Sequence, residues 1–217
     1  MPIDPEQLLI FLPAALALNL TPGNDMVFSL NQGLIHGPRA GIAASLGIAT
    51  GSFAHSVIAA IGLAALVSAN TTVFQTIRWI GIAYLVYLAL KTLVSQTTTS
   101  TFDNSNDHLN RGADSSFRTL RAVWLQGTLV NLTNPKVIVF MLAFVPQFVD
   151  PERGSTAVQF LMYGLLMNIG GTVINGAVGY YAGQFSNTLN NNPAYIKTLG
   201  YLSAFIFLAL ALRLALF

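Results

Sequence analysis

Two ionisable side chains stand alone in apolar surroundings. Asp25 is the only acidic residue between positions 7 and 34, and Lys136 is the only charged residue between Arg121 and Asp150. An ionised group at the centre of a bilayer costs roughly 3 kcal/mol on insertion scales, so such groups usually face a protein interior. Their opposite signs suggest a pair. Two chemistries fit it. The pair is either a salt bridge that locks two parts of the chain together, or a divided site. In a divided site Asp25 binds a proton or a ligand's ammonium, and Lys136 meets a carboxylate.

Each charge follows a polar run that lies inside an expected span. Asn19, Thr21, Pro22, Gly23 and Asn24 precede Asp25; Asn131, Thr133, Asn134 and Pro135 precede Lys136. Proline inside a helix removes one hydrogen bond and clashes with the preceding turn. Gly23 adds backbone freedom beside it. Both stretches are therefore expected to kink or unwind. Backbone groups freed in lipid cost several kcal/mol unless protein or water satisfies them, so the two breaks should face each other inside the protein. Broken helices also present positive N-terminal and negative C-terminal ends, which suit the two charges of a zwitterion. The bland alternative is a pair of simple proline kinks.

The elements that must hold these breaks are transmembrane helices. Hydrophobic residues make up 53% of the 217-residue chain and charged residues 8%, against about 25% charged in a soluble domain. A bilayer core needs about 20 apolar residues in helix. Six spans are expected, at 7–34, 41–67, 73–94, 121–147, 156–183 and 195–216. The stretch 95–120, rich in Thr, Ser, Asn and Asp, is expected to be a flexible polar cytoplasmic connector. It divides the chain into halves, 1–94 and 121–217.

The halves repeat each other weakly. Asn19-Leu20-Thr21 corresponds to Asn131-Leu132-Thr133, and Ile77-Arg78-Trp79-Ile80-Gly81 to Ile196-Lys197-Thr198-Leu199-Gly200. Three spans per half is an odd number, so the second half enters from the opposite side. The expected fold is thus an all-α membrane protein of two inverted three-helix repeats with helices 1 and 4 broken. Arg39, Lys91, Arg111, Arg118, Arg121 and Lys197 fall on one side, and Arg78, Arg153 and Arg213 on the other. The first side is then cytoplasmic, and both termini are external. The acidic start, with Asp4 and Glu6, does not read as a signal peptide, so the first hydrophobic stretch is expected to stay.

His55 lies in the second span. It is either a hydrogen-bonded packing residue or a proton relay, since histidine changes charge near neutral pH. Asn168 and Asn175 share one face of the fifth span, lining a cavity or bonding across helices. Gly47/Gly51 and Gly179/Gly183 have the spacing of close helix contacts, which fits internal packing and a homodimer alike.

Several classes are excluded on chemical grounds. The chain has no cysteine and a net charge of +2, so thiolate chemistry is out and no basic cluster tracks nucleic acid. No acidic or His cluster has metal-ligand spacing, and no serine sits in a nucleophile motif. An enzyme is therefore not expected, nor any cofactor. No filter motif marks a channel. A passive channel for small zwitterions is the alternative to a carrier.

Thr21-Pro22-Gly23 with Asp25, and Leu132-Thr133-Asn134-Pro135-Lys136, resemble the LysE/RhtB family of amino-acid exporters. Gly47/Gly51/His55 and Gly81-x-x-Tyr84-Leu85 are also similar to that family. The resemblance covers essentially the whole chain. It implies efflux of amino acids or close derivatives across the bacterial inner membrane, driven by proton antiport. It implies a substrate site at Thr21, Pro22, Gly23, Asp25, Asn134, Pro135 and Lys136. The family usually reads Thr-Pro-Gly-Pro, and Asn24 replaces the second proline. A softer break with an extra amide would bear on substrate choice. The wider superfamily includes disulfide and heavy-metal carriers that use membrane cysteines, and their chemistry is absent from this chain.

Overall fold

The computed structural model of the chain describes residues 3–69, 71–95, 119–182, 184 and 193–216. These residues are almost wholly helical, with no strand among them. Residues 96–118, the bulk of the expected polar connector, lie outside them.

The first span is two helices, α1 (Pro5–Leu20) and α2 (Asn24–His36). Asp4 caps α1 by accepting from the Glu6 N–H at 3.0 Å, and Pro5 opens its first turn. Pro22 disfavours helical backbone at the residue before it, and Thr21 turns extended, with ψ 119°. The chain runs extended through Gly23 and re-enters helix at Asn24, with Asp25 in the first turn, where a carboxylate complements the dipole. Gly37, at φ +86°, makes the turn into α3 (Pro38–Ala69). α4 (Thr71–Ser95) follows.

The second half begins with α5 (Leu120–Leu132) and resumes after the break with α6 (Pro135–Val139). A π-helical turn at Phe140–Phe144 and a 3-10 turn at Val145–Phe148 continue α6. Asn134 caps α6, accepting from the Lys136 N–H at 3.1 Å, and Pro135 occupies its first position. The helix pair on either side of this break is bent by 50°. α7 (Thr156–Tyr180) and α8 (Pro193–Leu216) complete the chain.

Two helices, at 38–62 and 156–180, are each long and apolar enough to cross a bilayer; the bent pair makes a third if it is counted as one span. Large apolar side chains look outward along the bundle, with Leu9 and Ile61 each 74% exposed. A surface of that kind is stable in hydrocarbon. α3 packs along α5 and α7, α2 along α3 and α7, and α4 along α8. Arg78 on α4 donates through Nε to the Leu214 carbonyl near the end of α8, at 2.6 Å.

Glycines set the closest approaches. A Cβ added at Gly33 or Gly41 would overlap the backbone of Gly179, and one at Gly47 would overlap the Trp124 carbonyl. The small-residue positions Gly47, Gly51 and Gly179 are therefore spent on packing within the chain, while Gly183 lies outside the described residues. The main core is aromatic: Phe11, Phe140, Phe144, Phe148 and Tyr163 are all buried, and the Phe11 and Tyr163 ring centroids are 4.7 Å apart.

Candidate functional site

The first break leaves the carbonyls at the end of α1 without intrahelical partners, as every helix end does. Lys136 supplies them. Its Nζ donates to the carbonyl oxygens of Leu18 and Thr21, each at 3.0 Å. A cation beside a helix C-terminus also complements the dipole. Gly23 makes the approach possible, because a Cβ there would sit 3.1 Å from the Lys136 Nζ. Two of the three ammonium donors are used in this way.

The second break is met by the first half in return. Asn131, one residue from the end of α5, donates through Nδ2 to Asp25 Oδ2 at 3.1 Å. Its backbone carbonyl lies 3.2 Å from His55 Nε2, a contact that makes Nε2 the protonated nitrogen in the neutral tautomer. Gly51 admits Asn131, since a Cβ at position 51 would sit 2.9 Å from that of Asn131.

Asp25 and Lys136 thus face the same place from opposite halves without touching. The ion pairs among the described residues are Arg153 with Asp4 and with Asp150, so of the two alternatives for Asp25 and Lys136 this arrangement does not hold the direct salt bridge. Opposite charges alone do not dictate contact when helix-end carbonyls and an amide offer each group a partner. Both charges line one small polar cavity, with Asn19, Thr21 and Asn175. It has room for about one water molecule at most. Asp25 Oδ1, Asn131 Oδ1 and Asn134 Nδ2 are buried without a hydrogen-bond partner. A buried polar atom left unpaired costs about 1–3 kcal/mol, so three at paired helix breaks point to a ligand or water. Of these residues Asp25 lines the cavity, opposite Lys136, whose ammonium keeps one donor beyond the two carbonyls it meets.

The structure brings together only part of the residue set expected from sequence. Asn19, Thr21, Gly23, Asp25, Asn131, Asn134 and Lys136 lie at or beside the breaks on the inner side. Pro22, Asn24, Thr133 and Pro135 are exposed. They shape the breaks through the backbone. Asn19 also bonds across to α7, donating to the Met167 carbonyl at 3.0 Å. Of the two α7 asparagines, Asn175 lines the cavity, while Asn168 bonds across to the Ala49 carbonyl at 3.0 Å. Among the described residues, no three His, Asp or Glu side chains converge as metal ligands.

Two further contacts lie toward one end of the bundle. Arg153 bridges Asp4 at 2.9 Å and Asp150 at 3.3 Å. The Arg213 guanidinium lies 4.8 Å from the centroid of the Phe148 ring, within the aromatic core. The sequence does not point to the Arg153–Asp4 and Arg213–Phe148 contacts because their residues are far apart in the chain and individually ordinary.

Residues 16–216 match the family model described as LysE type translocator. An uncharacterized membrane protein of Vibrio cholerae is 36% identical over 157 residues, covering 72% of this chain and 71% of that one. The homoserine/homoserine lactone efflux protein of Salmonella typhimurium is 31% identical over 155 residues, 71% of this chain and 70% of that protein. The leucine efflux protein of Klebsiella pneumoniae is 28% identical over 161 residues, 74% and 72%. No solved structure matches the chain.

Proposed function

Because the chain belongs to the LysE type translocator family, we propose that it is a secondary transporter exporting amino acids or close derivatives from the bacterial cytoplasm. The substrate is held as a zwitterion between the two helix breaks. The observation that carries this reading is the pair of isolated charges on one polar cavity, with Asp25 Oδ1 buried and unpaired. The substrate ammonium goes to Asp25 and Asn131, and the carboxylate to Asn134 and the free donor of Lys136. The efflux roles named for the Salmonella and Klebsiella relatives support the substrate class.

The cargo leaves in exchange for protons. Asp25 carries the proton when the substrate is absent, and His55, held at the Asn131 carbonyl, assists its passage. The two halves are inverted repeats. In support, the middle helices α3 and α7 pack together, as do the last helices α4 and α8, and each middle helix packs on the broken helix of the other half. The bundle sits in the inner membrane with its termini and the Arg153–Asp4 bridge outside.

The test is reconstitution into proteoliposomes loaded with a panel of amino acids. We expect an imposed pH gradient to drive movement of at least one amino acid against its concentration gradient. Downhill leak alone would indicate a channel. Absence of flux for every amino acid would overturn the reading.

A further inference from the structure

A row of polar side chains on α2 extends beyond the polar cavity. Asp25, Ser29, Gln32 and His36 are spaced four, three and four apart, which puts them within about 60° of one another on a helix of 3.6 residues per turn. The row starts at Asp25 on the cavity wall. It runs about 16 Å along the helix axis and ends at exposed His36, beside the Gly37 turn. Apolar side chains flank it. Phe28 packs toward α3 and α5, and Met26 and Leu30 toward α7.

The protein does not satisfy the interior members of this row. Ser29 is fully buried and Gln32 is 7% exposed. Ser29 Oγ and Gln32 Oε1 have no hydrogen-bond partner, like Asp25 Oδ1. A hydroxyl on a buried helix can bond the carbonyl one turn back. Thr21, Ser56, Thr128 and Thr172 each do so, between 2.7 and 3.0 Å. Ser29 has the same carbonyl behind it and does not use it. Buried polar atoms without a partner are costly, and ordered water is the partner that meets such groups where protein does not.

The surroundings single out Asp25. It is the only acidic residue on α2 and on the helices α3, α5 and α7 that pack along it. The other titratable groups on those three helices are Arg39 and His55 on α3, Arg121 on α5, and Tyr163 and Tyr180 on α7. Lys136 faces Asp25 across the cavity. A proton carried on a carboxylate therefore has Asp25 as its seat here, and the row is a polar line from that seat to solvent.

We infer that this face of α2 is the proton's passage between Asp25 and the cytoplasmic surface, with Ser29 and Gln32 holding a file of water molecules along it. This rests on the proposed proton antiport and orientation. Protonated Asp25 gives its proton to the adjoining water and is left as carboxylate. Each water takes one proton and gives another, and one proton emerges beside His36. The Ser29 hydroxyl both accepts and donates, so it can stand in the relay itself; the Gln32 carbonyl oxygen accepts only, and orients a water. Neither residue lines the cavity.

The test uses the full chain in proteoliposomes with an equimolar mixture of the common amino acids. Two rates are compared. Accumulation driven by a pH gradient needs proton release, whereas exchange of internal for labelled external amino acid at equal pH moves no net proton. S29A and Q32L are each expected to slow the initial rate of accumulation about tenfold and to leave exchange at the wild-type rate. Their melting temperatures are expected to hold or rise, because each substitution removes an unpaired buried polar atom. Wild-type accumulation in both variants would overturn the passage. So would a parallel loss of accumulation and exchange, which marks a packing or substrate-binding role. If wild type exchanges amino acids but a pH gradient drives none, proton antiport itself fails and the passage falls with it. Absence of both fluxes in wild type would instead overturn the proposed export.

Discussion

The Lys136 ammonium donates to the Thr21 carbonyl oxygen at 3.0 Å, so the start of the second broken helix holds the end of the first. The two residues are 115 apart in sequence. Removing this donor leaves carbonyls at the end of α1 unpaired in a low-dielectric interior. K136M is expected to destabilise the protein by about 1.5–3 kcal/mol, the usual worth of hydrogen bonds to a charged group. Thermal melting in detergent checks this, and efflux should fall at least tenfold in the same preparation.

Gly23 stands in extended backbone, with φ −161° and ψ −174°, a conformation open to alanine. The effect of G23A is therefore steric and local: its Cβ would press on the Lys136 ammonium at 3.1 Å. Efflux is expected to drop about tenfold, the change that ~1.4 kcal/mol produces. Wild-type rates in G23A would mean that the ammonium can leave the α1 carbonyls without consequence.

D25N keeps an acceptor for the Asn131 amide and removes the charge. The fold is expected to survive and gradient-driven accumulation to fall at least tenfold. A D25N protein that accumulates substrate like wild type would remove Asp25 from the coupling mechanism.

The helix ends were readable in the sequence because their signals are local. Pro22-Gly23 and Asn134-Pro135 mark both breaks, and Gly37 marks the turn between α2 and α3. The facing of the breaks was readable too, since free polar backbone does not face lipid. The partners were not. Isolation of Asp25 and Lys136 told that each needs a counterpart, but the counterparts are Asn131 and two backbone carbonyls, and carbonyls leave no trace in residue types. Helical phase, sensitive to a single residue at a break, put Asn24 and Thr133 outside. The Arg153 and Arg213 contacts were illegible for a third reason: they join three separate regions of the chain.

The Arg153–Asp4 bridge is partly exposed, at 43% and 22% for the two side chains. Such pairs contribute about 0–1 kcal/mol, so R153Q is expected to leave the melting temperature nearly unchanged. Its position matters more than its strength. The chain has no cysteine, so D4C combined with R153C can be joined by a cleavable bifunctional thiol reagent. Efflux is expected to stop on cross-linking and to return on reduction. Full-speed efflux through the linked protein would show that this end of the bundle does not open.

Gly33 faces the Gly179 carbonyl with no space for a Cβ. Overpacking of this kind costs about 1–3 kcal/mol, so G33A is expected to lower the melting temperature, and G33L to abolish recovery of monodisperse protein on size-exclusion chromatography.

That glycine seam also fixes what can turn and what cannot. Where Gly33 and Gly41 meet Gly179 backbone to backbone, no flexible side chain is left to slide. In the proposed transport, α2, α3 and α7 would form the fixed part, and the moving part is to be sought in α1 and in α6 with its irregular continuation. α1 meets α7 through the Phe11 and Tyr163 rings and the Asn19–Met167 hydrogen bond, while Lys136 ties α1 to α6. A transport cycle of the proposed kind would then be geared at the breaks through α1 and α6, while α2 stays held on the glycine seam.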